Sequence, residues 1–306
     1  MTILQLVQGS PEWLAFKWPR IGASAIGDIL AGNIPSSGAF GTKYSQWARL
    51  TGKLTETKDE PTDAMRWGLD SEPLHRKLIG RELGCEVLQG PVVQDDGEPL
   101  FMASLDAVLY RNGPAEIVEL KAPSNWPAKR WQDEGPPLAH KLQWLWQAYV
   151  SRHDLNASHG MISALIPPRP LWERQERSTE KEEWVAGQIH EFVQKHVLTD
   201  IPPEATGDDM EVIKRMYPKD SGRVVILPPE FVEISHEERK IAKTIKDLEG
   251  EQKDMRAKIQ AFLGDATFGV VEDGFVWKYR TQEADYQPQP LRVVKSRPLV
   301  KVKGVG

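Results

Sequence analysis

Two carboxylates and a lysine occur in this chain in an order suited to metal-assisted hydrolysis. The stretch Phe101 to Tyr110 is apolar and is interrupted by one carboxylate, Asp106. Residues 111–115 follow, and then a second apolar stretch, Glu116 to Pro123, carries Glu119 and Lys121. Both stretches are predicted strands, and Gly113 and Pro114 between them signal a turn. Side chains alternate faces along a strand, so Glu119 and Lys121 emerge on the same side. A hairpin then sets Asp106 on the neighbouring strand, near that pair. Two acids and a lysine at the edge of a mostly buried sheet can hold a divalent cation beside a group that activates water.

The bare Glu-x-Lys pattern says little, because Glu56 with Lys58, Glu238 with Lys240 and Glu251 with Lys253 repeat it in polar stretches. Only the copy at 119–121 lies in an apolar strand directly after another that carries an aspartate. The competing reading is a half-exposed sheet face with a Glu–Lys pair of little energetic weight. Two further features bear on the choice. Glu72, on a predicted helix upstream, can supply a third carboxylate to a hard-cation site, or be a surface acid. Gln143 and Gln147 lie one helical turn apart on an otherwise apolar, tryptophan-rich helix. Their amides need partners, either a nucleotide base or sugar or a hydrogen bond within the core.

The elements that must position these residues are legible in outline. Residues 12–32 are predicted as an entry loop followed by a helix, with Ala25 to Leu30 helical and Ser24 as N-cap. Short and long helices are expected over Tyr44 to Leu50 and Thr62 to Leu83. In the long one, Met65, Leu69, Leu74, Leu78 and Leu83 recur near helical spacing, Gly84 caps the end, and Pro73 kinks or restarts the helix. Strands are expected over Glu86 to Val93, 100–121 and Gly160 to Ile166, with helices over Leu138 to Ser151 and Glu180 to Leu198. This order describes an α/β core with a central mixed sheet flanked by helices.

Composition shifts after about residue 200, where Ile201 to Asp209 has the character of a linker. We therefore expect a core domain over 1–203 and a C-terminal extension over 204–306. Within the extension, Ile241, Ile245, Leu248, Met255, Ile259 and Phe262 alternate spacings of four and three, with Gln252 in the one gap. That is a heptad seam, open to a coiled coil or to packing on the helix's own domain. Residues 267–271 and 275–281 flank Glu272, Asp273 and Gly274, a hairpin signal. From Tyr286 onward the chain is basic, fit for DNA, for an acidic partner, or simply for solvent.

Charge and composition exclude several classes. The net charge of −5 argues against coating the whole surface with nucleic acid, although a local basic groove remains compatible with it. A single cysteine, Cys85, excludes a disulfide framework and a cysteine-rich zinc site and suits a reducing cytoplasm. No apolar run reaches membrane-spanning length, and no signal peptide is evident, so a cytoplasmic protein without a membrane partner is expected.

Trp13, Lys17, Arg20 to Ser24 (Arg-Ile-Gly-Ala-Ser), Trp67-Gly followed by Glu72-Pro73, Ala103 to Asp106, Glu119 to Lys121 and the Gln-bearing helix occur in one order. That order, over residues 10–200, resembles the YqaJ-type viral recombinases, relatives of the phage lambda exonuclease within the PD-(D/E)xK nuclease superfamily. The resemblance implies that Asp106, Glu119 and the Leu120 carbonyl hold Mg2+, one or two ions replaceable by Mn2+. Glu72 then lies near the metals and Lys121 assists the attacking water. It also implies that Lys17 and Ser24, joined by Arg20, grip the 5′-phosphate of a DNA end, with Gln143 and Gln147 also at the DNA. A helix N-terminus at Ser24 beside two cations suits a phosphate on independent grounds. The implied activity is 5′→3′ exonuclease digestion of linear double-stranded DNA to mononucleotides. The implied assembly is a homotrimeric ring that passes its 3′ strand to a single-strand annealing protein.

The chain departs from the family pattern in two places. Leu145 stands where the family has the first glutamine of Gln-x-Gln, and Leu105 precedes Asp106 where the superfamily name has proline. Competing readings are a restriction-type endonuclease, a RecB-like nuclease and a non-catalytic DNA-end-binding module. The lone cysteine argues against the iron–sulfur cluster common in the second, and the intact acidic and basic positions argue against the third.

Overall fold

The structure is a computed structural model and describes residues 2–54, 62–111, 113–123, 128–153, 155, 157 and 159–281. The chain divides into two compact units, Met1–Pro218 and Lys219–Gly306. In the first unit, β1 (Thr2–Leu4) leads to α1 (Pro11–Lys17), α2 (Ala23–Ala31), α3 (Lys43–Leu50) and α4 (Asp63–Leu83). Strands β2 (Val87–Gln89), β3 (Val92–Gln94), β4 (Met102–Ser104), β5 (Ala107–Tyr110) and β6 (Ala115–Lys121) follow. Then come α5 (Ala128–Glu134), α6 (Leu138–Val150), β7 (His159–Ile166), β8 (Arg169–Glu176), α7 (Thr179–Phe192) and α8 (Met210–Met216).

Strands order as β2-β5-β6-β7-β8 in the main sheet, and β1-β3-β4 form a smaller one. Only β6 and β7 run parallel; the other neighbours are antiparallel, so the sheet is mixed. The parallel step requires a crossover, and α6 supplies it, packed between the sheet and α2. Trp144, Trp146, Ile117 and Ile162 fill that side of the core. On the other face α4 covers the sheet, where Ile79 meets Leu109, Val118 and Met161.

Helix α4 is one unbroken helix, capped by the Thr62 side chain and ended by Gly84 in the left-handed conformation, φ 66°. Pro73 does not break it, because both Pro73 and Leu69, whose carbonyl loses its partner, are exposed to water. The face α4 buries is Ser71, His75 and Ile79, at four-residue spacing, while Met65, Leu69 and Leu74 of the expected apolar stripe are exposed. His75 is 1% exposed, and its Nε2 sits 2.9 Å from Ser163 Oγ on β7. Burial, then Arg76, lowers its pKa to about 4. The folded protein thus binds the His75 proton less readily than the unfolded chain, and stability is lost as pH falls from about 6.5 towards 4. We expect His75 to contribute a loss of up to about 3 kcal/mol over that interval, read in urea unfolding as the difference between the parent and a His75 variant. His75→Asn, which keeps a polar contact without titrating, should flatten that part of the curve.

Several expectations change in detail. Residues 11–17 form a helix, where a loop was expected. The cap of α2 is Gly22, and Ser24 lies inside the first turn. The run Glu86 to Val93 splits into β2 and β3, which belong to different sheets, and Phe101 to Tyr110 splits likewise into β4 and β5. Strand β8 was not expected at all: its alternating charges and Pro170 mask an edge strand with only one half-buried face.

The first unit runs past the expected boundary at 203, to Pro218. Asp209, 1% exposed, accepts from the Thr42 hydroxyl, and Val212, Ile213 and Met216 pack on the main core. The second unit contains α9 (Glu230–Leu263) and a hairpin of β9 (Phe268–Val270) and β10 (Val276–Lys278), turned at Gly274 with φ 86°. The basic tail expected from Tyr286 onward, like Glu56 and Lys58, lies outside the described residues.

Candidate active site

The chain leaves the small sheet at Ser104 and joins the main sheet at Ala107, and Asp106 sits in that crossing. Leu105 N–H donates to the Pro91 carbonyl and Gly90 N–H to the Asp106 carbonyl, so the backbone turns away from β6 here. Continuing the β5–β6 register, Ala107 opposite Val118, would set Asp106 opposite Glu119. Leu120 N–H, left without a strand partner at this point, instead donates to Asp106 Oδ2 at 2.9 Å. The N–H and C=O of one strand residue lie on the same edge, so the Leu120 carbonyl also faces the Asp106 side.

Glu119 is completely buried, which for a carboxylate demands partners. Its Oε1 lies 2.6 Å from Lys121 Nζ, and its Oε2 accepts from Gln147 Nε2 at 2.5 Å. The Oε1 contact is an ion pair without hydrogen-bond geometry, and Gln147 Oε1 is likewise buried without a hydrogen bond. Lys121 Nζ also donates to Gln143 Oε1 at 2.9 Å. The two glutamines of α6 therefore hold the acid and the lysine. Each amide makes a hydrogen bond within the protein, one of the two kinds of partner the sequence left open, and Gln143 is only half-buried. A wider shell continues from Gln147 Nε2 to the Ser104 carbonyl at 3.5 Å and from Trp13 Nε1 to Ser104 Oγ at 2.8 Å.

Burial, and then the neighbouring Glu119, pushes Asp106 well above the usual carboxylate range. Burial by itself lowers Lys121, but Glu119 and Asp106 outweigh it and hold the ammonium charged. Glu72 is raised by burial and feels Glu119 and Lys121. Its carboxylate, however, pairs with Arg76 at 3.4 Å, one turn along α4. No group of three or more acids, histidines or cysteines is gathered among the described residues. The expected third carboxylate thus stays within electrostatic reach of the pair without joining it. The donor set of two carboxylates and one strand carbonyl is all oxygen, and it fits a hard divalent cation. The disfavoured charge on Asp106 points the same way.

Lys17 ends α1, its Nζ 4.6 Å from the Trp13 ring centre. Its Cε lies 3.8 Å from where a Cβ on Gly22 would stand, beside the N-terminus of α2. Burial, then Arg49, lowers Lys17, while Asp106 raises it, which puts this lysine in the electrostatic field of the acids. Ser24 is exposed in the first turn of α2, whose cap offers no side-chain hydrogen bond. Arg20 is directed elsewhere: its guanidinium donates to the Phe16 and Pro99 carbonyls and stacks on Phe16 at 3.8 Å. The sequence reading missed His140 on α6, whose Nδ1 is buried without a partner. Burial, then Lys121, depresses it to about 3. The one signal for it is its place a turn before Gln143.

Residues 12–154 match the model of the YqaJ-like viral recombinase domain, the segment that holds all of these side chains up to Gln147. The uncharacterized protein YqaJ of Bacillus subtilis (strain 168) is 23% identical over 265 residues, 85% of this chain and 80% of that protein. Among solved structures, the alkaline exonuclease LHK-Exo from Laribacter hongkongensis superposes with TM-score 0.50 and 17% identity, over 67% of this chain and 97% of that one. Its complex with dAMP gives the same score at 18% identity, with the same coverage. The fold is the PD-(D/E)xK type, and the resemblance to the YqaJ-like recombinases read from the sequence is borne out.

Proposed function

We propose that this chain, through the YqaJ-like domain it carries, is a magnesium-dependent exonuclease that degrades one strand of linear double-stranded DNA from 5′-phosphorylated ends. The observation that carries this reading is the buried Glu119, tied to Lys121 and Gln147, with Asp106 held beside it by the Leu120 N–H. Asp106, Glu119 and the Leu120 carbonyl are the groups that would hold Mg2+, or Mn2+ in its place. When bound, one or two such ions polarise the scissile phosphate and offset charge on the attacking and leaving oxygens. Lys121, held as a cation between Glu119 and Gln143, orients water and stabilises negative charge at the phosphate. Glu72 adds negative potential from α4.

Lys17 beside the open N–H groups of α2 supports a 5′-phosphate grip, with Ser24 in the first turn. Arg20, engaged with two carbonyls, shapes the segment that carries Lys17. That the similar Laribacter protein is an alkaline exonuclease captured with dAMP supports release of mononucleotides. The 5′→3′ direction, a three-copy ring around the duplex and hand-over of 3′ strands to an annealing protein for recombination follow the family resemblance.

Digesting a linear duplex labelled separately at its 5′ and 3′ ends tests the reading. The 5′ label should leave first, as mononucleotide, and faster from phosphorylated ends. Lys17→Ala should erase that preference, a loss of about tenfold or more for one charge-assisted contact. Release of the 3′ label first would reverse the polarity, and cutting of covalently closed circles would favour an endonuclease.

A further inference from the structure

Helix α9 runs for 34 residues, and none of its side chains is buried. A helix with no packed face is marginal in water, since tertiary packing supplies most of the stability of protein helices. Its apolar residues nevertheless form one stripe. Ile234, Ile241, Leu248, Met255 and Phe262 recur every seven residues. Phe231, Ile245 and Ile259 fill positions between them, as do the polar Glu238 and Gln252. Ile234, Ile241, Ile245, Leu248 and Met255 are each 51–59% exposed, and Phe262 is 94% exposed. Of the two readings that the heptad spacing allowed, packing on the helix's own domain is not found among the described residues. A continuous exposed apolar stripe of this length marks an interaction face.

We infer that this face is covered by α9 of a second copy of the chain, lying parallel and in register. The flanking charges favour that occupant. In a parallel pair, Glu251 meets Arg256 of the second copy, while Glu237, Thr244 and Lys258 meet its Ala242, Glu249 and Leu263. No like charges flank the seam, and two opposite pairs form by symmetry. Within the seam, Gln252 meets Gln252 of the second copy, and the two amides satisfy each other. An antiparallel pair in the fully overlapping register sets Gln252 against Ile241 of the second copy and leaves a buried amide alone. Two Glu238 side chains also meet in the parallel arrangement, so the tight part of the contact is Ile241 to Phe262. This surface lies outside the nuclease centre and is independent of that reading.

Disulfide trapping in the full chain, with Cys85→Ser, tests the contact by proximity. Under diamide at tens of micromolar protein, Leu248→Cys should give a covalent pair on a non-reducing gel. Lys243→Cys, on the opposite side of α9, should not. Adding Ile241→Glu to the Leu248→Cys chain should abolish the product, with a fall in helical circular dichroism no larger than the 34 residues of α9 account for. Equal trapping at 243 and 248, or none at 248, would overturn the inference. Trapping only in mixtures of Ile245→Cys and Leu248→Cys chains would overturn the parallel arrangement. Neither result would touch the nuclease proposal, which is read by DNA digestion.

Discussion

Glu119→Gln should remove digestion of linear duplex in magnesium, lowering the rate on the order of 10³-fold, the scale of losing one preorganised electrostatic group. The substitution keeps the shape of a side chain that is completely buried. It removes the charge that pairs with Lys121 at 2.6 Å and that a metal would need. The amide can still accept from Gln147, so the fold should survive, and circular dichroism of the variant should match the parent. Because Gln143 also holds Lys121, the lysine stays near the site, and the loss reports the missing carboxylate. A rate within tenfold of the parent on an end-labelled linear duplex would move the cutting centre elsewhere.

Asp106→Asn should separate metal binding from folding. Burial and Glu119 raise the Asp106 pKa, so the folded protein disfavours the ionised form. For such a group, stability is highest below the unfolded pKa and is lost as pH rises towards the folded one. At neutral pH and without metal, the carboxylate is therefore a cost to folding. Asparagine removes that cost while its carbonyl still accepts the Leu120 N–H. We expect the asparagine variant to melt above the parent in EDTA. Magnesium should then stabilise the parent by about 2.7 kcal/mol at a hundred times the dissociation constant, and the variant by far less. Melting curves with and without magnesium at neutral pH provide the comparison. An equal magnesium gain in both proteins would exclude Asp106 as a ligand.

The proposed nuclease centre is legible in the sequence because its parts are local. Asp106, Glu119 and Lys121 lie on two strands joined by a short turn, so alternation and hairpin pairing place them without knowledge of the rest. The glutamines show where that locality ends. Their spacing on α6 announced buried amides, but only the packing of α6 on the sheet decided that Gln147 meets Glu119 and Gln143 meets Lys121. Glu72 shows the same limit, since an acid on α4 has Arg76 within its own helix, and a nearby pair is made before a distant one.

Residue type and short-range periodicity, then, fixed the strand pair, the long helices, the heptad stripe of α9 and the chemistry of two acids with one lysine. Those features depend on neighbours within a few residues, which a sequence displays directly. Tertiary structure decided the rest. It set which face of α4 is buried, where the Phe101–Tyr110 run breaks so that Asp106 replaces a strand partner of Leu120, and how residues 204–218 join the first unit. It also brought Lys17 against the start of α2. Each of these depends on the shape and hydrogen-bonding needs of a segment far away in the chain, as when the buried Asp209 captures Thr42, and no local pattern carries that information.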